Sequence, residues 1–375
     1  MAAKEKLTLD RVFTFLKAYL TIVCCWPLPK NATKCQRLLR WVIRCFFIAN
    51  TTLYTAAAAW TFCEYSDDSL LVMKLGCQMS AVLQIPLQII FFAAQDERLQ
   101  LIVLEMEDYN RRAEKYEKDI FRQYIDRCKP FYSMILSLLV VTAASVATGP
   151  LFLPQPFPGD PKYPFNALRQ PLRTIIYAHH IVITYQSMIQ VSANTFPALL
   201  LWFVAARFDI LSMHFCMVTN VKELIRCTHE HYKLLRYAKE VTLAIRYVAL
   251  LCVTFSTGAV LFGCLTFMSR HPLSVKAPFL MIALSGFMEL YMYAWPADNV
   301  MSTSGDVALA AYSSLWYNND TAAQKNLIYV ILRSQRPVTI SIPCVLPNLS
   351  MNYYTSYIST IFSCMTLVRI MMGNE

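Results

Sequence analysis

Between Asn348 and Val368 an otherwise apolar run carries Ser350, Asn352, Thr355, Ser356, Ser359, Thr360, Ser363 and Thr366. A helix facing lipid has little use for so many hydroxyls. Ser356, Thr360 and Ser363, followed by Leu367, are spaced four, three and four and so share one helical face, with Ser359 at its flank. Two chemistries fit such a stripe: polar glue between packed helices, or the wall of a water-filled path for ions. The stripe is continuous and ends in the apolar residues Leu367, Ile370 and Met371, which favours the path, because apolar rings can gate a pore by dewetting. Cys227, His229, Glu230 and His231 form a second dense group. Its two histidines, at i and i+2, point apart on a helix, so it is taken as a solvated face and no metal site is assigned. No Ser/His/Asp set, Gly-rich phosphate loop or HExxH zinc motif is present. No catalytic residue and no cofactor are therefore assigned, and the chain is not expected to be an enzyme.

The elements that position these residues follow from hydropathy. Of 375 residues, 56% are hydrophobic and 15% charged, against about 25% charged in soluble domains. Mean hydropathy is +0.39. Crossing about 30 Å of hydrocarbon takes roughly 20 apolar residues in a helix, and backbone groups in lipid must be satisfied internally. Six uncharged runs are of that length: Cys45–Cys63, Leu75–Gln95, Phe131–Leu153, Thr174–Ala206, Tyr247–Ser269 and Pro337–Val368. A seventh, Ala277–Ala297, holds the single charge Glu289. The expected fold is all-α, a seven-transmembrane-helix membrane protein. Pro337, Pro343 and Pro347 interrupt the last run, and Gln324–Gln335 reads as a separate helix, so span seven is expected to be split into a cytosolic half and a membrane half. Arg207–Arg246 alternates apolar and charged residues at three and four, the pattern of amphipathic helices packing on one another beyond the bilayer. The 13 cysteines include no Cys-x-x-Cys pair and are taken as small packing residues.

Lys and Arg are unevenly divided. One side of the seven spans holds 27 and the other seven. The positive-inside rule places the richer side in the cytosol, with the amino terminus cytosolic and the carboxyl terminus extracellular. The net charge of +10 suits an anionic partner, but its placement matters more than its sum; membrane lipid is expected, nucleic acid is not. The resulting organisation is one membrane domain. Residues 1–44 form a cytosolic N-terminal segment, 45–297 hold spans one to six with cytosolic extensions around 207–246, 298–336 form a cytosolic anchor region, and 337–375 carry the bend, the pore helix and the extracellular end. Val12–Trp26, interrupted by Lys17, is too short to span and reads as an interfacial or cytosol-packed helix. Glu289, twelve residues into span six on its inward half, is within reach of a cytosolic cavity; a structural and a functional role are equally open. His179 and His180 start span four at its outer end, one expected to face a cavity and the other the interface.

Four places resemble the insect odorant receptor family. Trp26-Pro27 precedes span one like its Leu-Trp-Pro element, with Cys25 in place of the usual glycine. Tyr163-Pro164-Phe165-Asn166 in the second outer loop is similar to its Tyr-Pro-Phe-Asp element. Trp295, Ala308–Tyr312 and Trp316-Tyr317 resemble its stretch between spans six and seven, although Pro296-Ala297-Asp298 stands where the family tends to carry an aromatic, Gly and Asn or Glu. Thr366-Leu367-Val368-Arg369 is similar to its closing Thr-Leu-Leu-Arg. The Thr-Tyr…Gln-Phe ending of gustatory receptors is absent, as is the large insertion of the shared co-receptor between spans four and five.

The resemblance implies a ligand-tuning subunit of a tetrameric odorant-gated cation channel, formed with the odorant co-receptor in the plasma membrane of sensory neurons. Small hydrophobic odorants would bind in the outer halves of spans two, three, four and six. Candidate ligand-binding residues are Met73, Cys77, Gln78 and Ala81 in span two; Ala144, Ser145 and Thr148 in span three; Tyr177, His180, Ile181 and Thr184 in span four; and Phe279, Met281, Ile282 and Ser285 in span six. The set contains no Lys, Arg, Asp or Glu, so neutral volatile organics are expected. Two alternatives are a seven-helix G-protein-coupled receptor, whose amino terminus would lie outside against the charge count, and a secondary transporter, for which internal repeats are lacking. Asp126-Arg127-Cys128 is similar to the acidic-Arg motif of coupled receptors but stands before span three rather than after it.

Overall fold

The computed structural model describes residues 9–22, 25–29, 31–152, 155–269, 272–318 and 320–373. The described residues form eleven α-helices and one 3-10 turn, Trp316–Asn318, joined by loops, with no strand among them. Helix α1 (Leu9–Ile22) is too short to span. It buries Leu16 and Leu20 in the main core and leaves Phe15 exposed, which fits an interfacial segment. Helix α2 (Lys34–Glu64) opens with a capping box between Thr33 and Gln36. Helix α3 (Ser69–Ala94) starts at Asp68, whose carboxylate accepts from the Leu71 N–H. The short α4 (Asp96–Arg112) has Asp96 and Glu97 in its first turn and Arg111 and Arg112 in its last, matching the helix dipole at both ends.

Helices α5 (Lys115–Phe152), α6 (Leu172–Ala193) and α7 (Thr195–Cys216) follow. The expected fourth span is thus two helices that meet at Asn194. Helix α7 is buried on nearly every side, from Phe196 to Phe215. A helix apolar all round belongs at the centre of its bundle, and α7 is that central post. Helix α8 (Val221–Met268) has 48 residues, about 72 Å at 1.5 Å per residue. That is more than twice a hydrocarbon core, so it extends well beyond one face. Helix α9 (Leu273–Tyr312), α10 (Thr321–Ser334) and α11 (Met351–Gly373) complete the chain. Six helical stretches among the described residues are long and apolar enough to cross a membrane. Helix α11, at 23 residues, is of spanning length and is the seventh membrane helix.

The helices alternate direction, so one end of the bundle carries the Lys/Arg-rich segments together with α4 and α10. The opposite end carries the 155–171 loop and is called the far end below. The boundary expected at 297/298 falls inside α9, which runs unbroken through Pro296. Proline has no N–H to give to the carbonyl four residues back, here that of Met292. The Tyr132 hydroxyl donates to that Met292 oxygen at 3.4 Å and in turn accepts from Trp202 Nε1 at 3.1 Å. A side chain from α5 thus replaces the missing backbone donor.

The split between α10 and α11 is a compact bend. Val338 N–H donates to Ser304 Oγ at 2.9 Å and Leu349 N–H to the Ile340 oxygen at 2.9 Å. The Met351 N–H reaches Asp298 Oδ1 at 3.1 Å, tying the start of α11 to α9. Ser350, which stands off the polar stripe, is buried and accepts from the Tyr353 N–H at 3.2 Å as the α11 cap.

Candidate ligand cavity and outward stripe of the last helix

A cavity of about 660 Å³ opens at the far end between α2, α3, α5, α6 and α9, roofed by the 155–168 loop. That volume suits a drug-sized or smaller molecule. Its body is apolar, with Val82, Leu139, Ala143, Ile183, Met188 and Val191 from three different helices. The roof is held by side chains from below. His180 is buried and uses both ring nitrogens. The Gly159 N–H donates to Nδ1 at 3.1 Å, so Nε2 carries the proton and donates to the Tyr163 oxygen at 2.8 Å. Burial pushes the Tyr163 phenol up to about 12. The Lys162 N–H donates to Thr61 Oγ1 at 2.8 Å, and that hydroxyl reaches the Lys162 oxygen at 3.0 Å.

Of the candidates read from the sequence, the cavity brings together Gln78, Ala81, Ser145, His180, Thr184, Phe279, Ile282 and Ser285. Met73, Cys77, Ala144, Thr148, Tyr177, Ile181 and Met281 lie off its wall. Ala144 and Thr148 are exposed, one step around α5 from Ser145. Cys77 turns onto α8, with its thiol 3.5 Å from the Ala259 oxygen. Tyr177 donates to the Ala147 oxygen at 3.4 Å, between α6 and α5.

The expectation of a wall without charged residues is corrected: Lys74, Asp160 and Lys162 line the cavity. Lys74 and Asp160 pair at 3.3 Å across 86 residues of chain, so their charges cancel within the wall. Helix periodicity could not find Asp160, because it sits on a loop that folds inward. The signal that was available is the density of Pro156, Pro158, Pro161 and Pro164, which marks a stiff loop rather than a slack one.

Gly159 shows how tightly the roof is seated. A Cβ there would stand 2.5 Å from the Tyr54 hydroxyl and 3.1 Å from His180 Nδ1. Gly159→Ala should therefore lift the loop and weaken any ligand of the cavity by about tenfold or more, while the protein still melts cooperatively. Ligand titration of the purified variant beside the unmodified protein checks this; equal affinity would show that the roof does not bound the site.

Glu289 does not open onto a cavity at the Lys/Arg-rich end, as the sequence had suggested. It is 4% exposed and enclosed. Gln84 Nε2 and Asn194 Nδ2 donate to its Oε1 at 2.6 and 2.5 Å, and Ser256 Oγ to its Oε2 at 2.7 Å. Asn194 Oδ1 in turn accepts from Gln88 Nε2 at 2.5 Å and from the Tyr293 hydroxyl at 2.9 Å. This node lies one turn beneath the cavity floor formed by Ser285.

At the Lys/Arg-rich end, His231 is buried beside Ser334 Oγ at 3.4 Å, whereas His229 is exposed. The Cys227–His231 group therefore points in several directions. A second cavity of about 420 Å³ at that end is lined by Glu105, Tyr109, Arg207 and Glu230 among others. Burial and the Glu117 carboxylate, which accepts from the Tyr109 hydroxyl at 2.8 Å, raise the Tyr109 phenol above its ordinary value. The twelve described cysteines are free.

On α11, Ser356, Ser359, Thr360, Ser363, Leu367 and Ile370 are all exposed, whereas Tyr357 and Ile361 are buried against the bundle. The side chain of Met371 lies outside the described residues. The hydroxyls of Thr360 and Ser363 donate to the carbonyls of Ser356 and Ser359, each at 2.9 Å on their own helix. The stripe therefore faces away from the rest of the bundle.

A seven-helix membrane bundle with a roofed cavity at one end and a split final helix defines a class of multi-pass α-helical membrane protein. The profile described as 7tm odorant receptor matches residues 76–362, and the chain belongs to that family. It is accordingly not an enzyme. Odorant receptor 10 of Aedes albopictus is 26% identical over 150 residues, which is 39% of this chain and 39% of that protein. Odorant receptor 30a of Drosophila melanogaster is 35% identical over 77 residues, 20% of each chain. The matched stretches thus span well under half the length of these curated relatives. The insect olfactory receptor OR5 from Machilis hrabei, in its complex with eugenol, has the same fold, with a TM-score of 0.83 and 16% identity over 97% of this chain and 98% of that one.

Proposed function

We propose that this chain is an odorant receptor and a ligand-tuning subunit of an odorant-gated, non-selective cation channel in the plasma membrane of sensory neurons. It works with the odorant co-receptor in a heterotetramer. Neutral volatile organics bind in the far-end cavity, which lies on the extracellular side, and α11 lines the pore with Ser356, Ser359, Thr360 and Ser363 ahead of a gate at Leu367, Ile370 and Met371. The helices at the Lys/Arg-rich end, with the 298–336 region, form the cytosolic anchor through which subunits associate. The observation that carries the reading is the exposed polar face of α11: Ser356, Ser359, Thr360 and Ser363 all point away from the bundle, and the hydroxyls of Thr360 and Ser363 donate to carbonyls of their own helix rather than to a neighbouring one. A water-lined axis between subunits accounts for such a face, whereas glue within the subunit does not.

The test is expression with and without the co-receptor while current is recorded during an odorant-panel screen. Odorant-evoked current that needs both chains is the expected result. Topology gives a second check. A tag placed after Glu375 should be reached by antibody on intact cells and a tag before Met1 only after permeabilisation. The reverse pattern would sink the channel reading and favour a coupled receptor.

A further inference from the structure

The polar groups at the far end of the cavity are largely committed to one another. Gln78 Oε1 accepts from the Tyr54 hydroxyl at 2.8 Å and from the Asp160 N–H at 3.3 Å, while its Nε2 donates to Asp160 Oδ2 at 2.7 Å. Asp160 Oδ1 accepts from Lys74 Nζ at 3.3 Å. His180 is occupied by Gly159 and Tyr163. Each acceptor atom of these groups thus already has at least one partner within the wall. Deeper in the cavity, Thr142, Ser145, Thr184, Ser187 and Ser285 donate their own protons to carbonyls of the preceding turn at 2.7–2.9 Å. They face a ligand with lone pairs.

Two ammonium groups belong to lining residues: that of Lys162 sits 3.7 Å from the centre of the Tyr65 ring, which is off the wall, whereas that of Lys74 lies beside a ring of the wall itself. An ammonium has three N–H donors, and one of them serves Asp160. Lys74 lines the cavity, lies 5.7 Å from the centre of the Phe279 ring, which also lines it, and has a side chain only 14% exposed. It therefore brings spare, charge-assisted donor capacity to an apolar space. Its charge is balanced by Asp160, so an anionic ligand would have to displace that carboxylate and a cationic one would meet the ammonium. A neutral oxygen that only accepts has neither difficulty. An alcohol oxygen can accept from Lys74 as well, and its own proton can reach the lone pairs of the hydroxyls deeper in the cavity, so heptanol should bind more tightly than heptane too.

We propose that the cavity selects neutral ligands bearing an acceptor oxygen, such as ketones and esters, over pure hydrocarbons, and that Lys74 Nζ donates to that oxygen. This rests on the cavity being the ligand site of the proposed receptor, but it makes a claim about binding that can be measured apart from current.

The probes are heptanone, heptane, heptanol and heptanoate, titrated against the purified full-length chain in detergent. Heptanone should bind at least about tenfold more tightly than heptane, the scale of one hydrogen bond to a charged donor, with heptanoate the weakest. Lys74→Met should remove that preference and leave heptane unchanged. Removing Lys74 strands Asp160, so the pair Lys74→Met with Asp160→Asn is made alongside; the Asn amide oxygen still accepts from Gln78. Retention of the heptanone preference in either folded variant overturns the proposal, as does an equal loss for heptanone and heptane. Robust odorant currents without a Lys74-dependent preference would overturn it and leave the receptor reading intact. Lys74-dependent binding with no odorant-evoked current would uphold the cavity chemistry and remove the channel reading.

Discussion

Leu367→Ser should produce current in the absence of odorant. Leu367 is 59% exposed on the uncovered face of α11, and Ile370, three residues on, is 58% exposed. If those faces surround a common axis, their apolar rings exclude water while closed and exclude ions with it. A serine at the Leu367 ring would supply hydroxyls where no polar group stood, so basal current at matched surface expression should rise several-fold. The serines and threonine further in replace part of a cation's hydration without a fixed charge, so permeability ratios among monovalent cations should stay near one. Leu53→Ser is the matched control: Leu53 is 69% exposed on α2, away from α11. Ser350→Ala, which its place off the stripe would suggest as a silent control, is unsuitable, because Ser350 is buried and caps α11. Unaltered basal and evoked currents in Leu367→Ser would remove the pore face from α11 and leave the gate to the co-receptor.

The second large effect concerns Glu289. Its carboxylate joins α3, α8, α9 and the α6–α7 junction through Gln84, Ser256 and Asn194. Glu289→Ala strands three buried donors. Interhelical hydrogen bonds in membrane proteins are worth about 0.6–1.7 kcal/mol each, so the loss should be about 2–5 kcal/mol, at or above the usual range for one substitution. Thermal melting of the purified protein and delivery to the cell surface both report it. Glu289→Gln keeps the shape and one acceptor oxygen for Gln84 and Asn194, and its loss should be the smaller of the two. If Glu289→Ala melted with the unmodified protein, the node would carry no stability.

The node also stands between the cavity and α11. Ser285 of the cavity floor is one turn from Glu289 on α9, and α11 leans on the same stretch. The Tyr354 hydroxyl reaches the Phe287 oxygen at 3.4 Å, and the rings of Tyr291 and Tyr354 are 5.3 Å apart. Odorant-evoked current in Glu289→Gln at matched expression therefore reads whether this contact chain transmits ligand occupancy.

Much of the architecture was legible from the chain alone. Lipid cannot satisfy backbone groups, so every crossing must announce itself as a long apolar helix, and the runs ending near Cys63, Gln95, Leu153 and Ser269 do so. Three prolines within eleven residues, Pro337, Pro343 and Pro347, announced the split before α11, since each removes a backbone donor that a helix would need. The α11 stripe was legible because spacing of three and four is a local property of one helix. What local pattern could not supply is the rotation of each helix about its axis and the pairing of residues far apart in the chain. Ser145 meets the cavity while Ala144 and Thr148 turn away from it, a difference set by what α5 packs against. Span six was expected to end at Ala297, just past Pro296, yet α9 continues, and Tyr132, 160 residues before Met292, supplies the donor that the Met292 oxygen would otherwise lack. Asp160 carries no pattern that singles it out in the sequence, yet it closes the cavity on Lys74, and Glu289, expected within reach of a cytosolic cavity, is enclosed by three other helical segments. In each case a polar group buried by tertiary packing must find its partner wherever the fold brings one, and the distance along the chain to that partner leaves no local mark in the sequence.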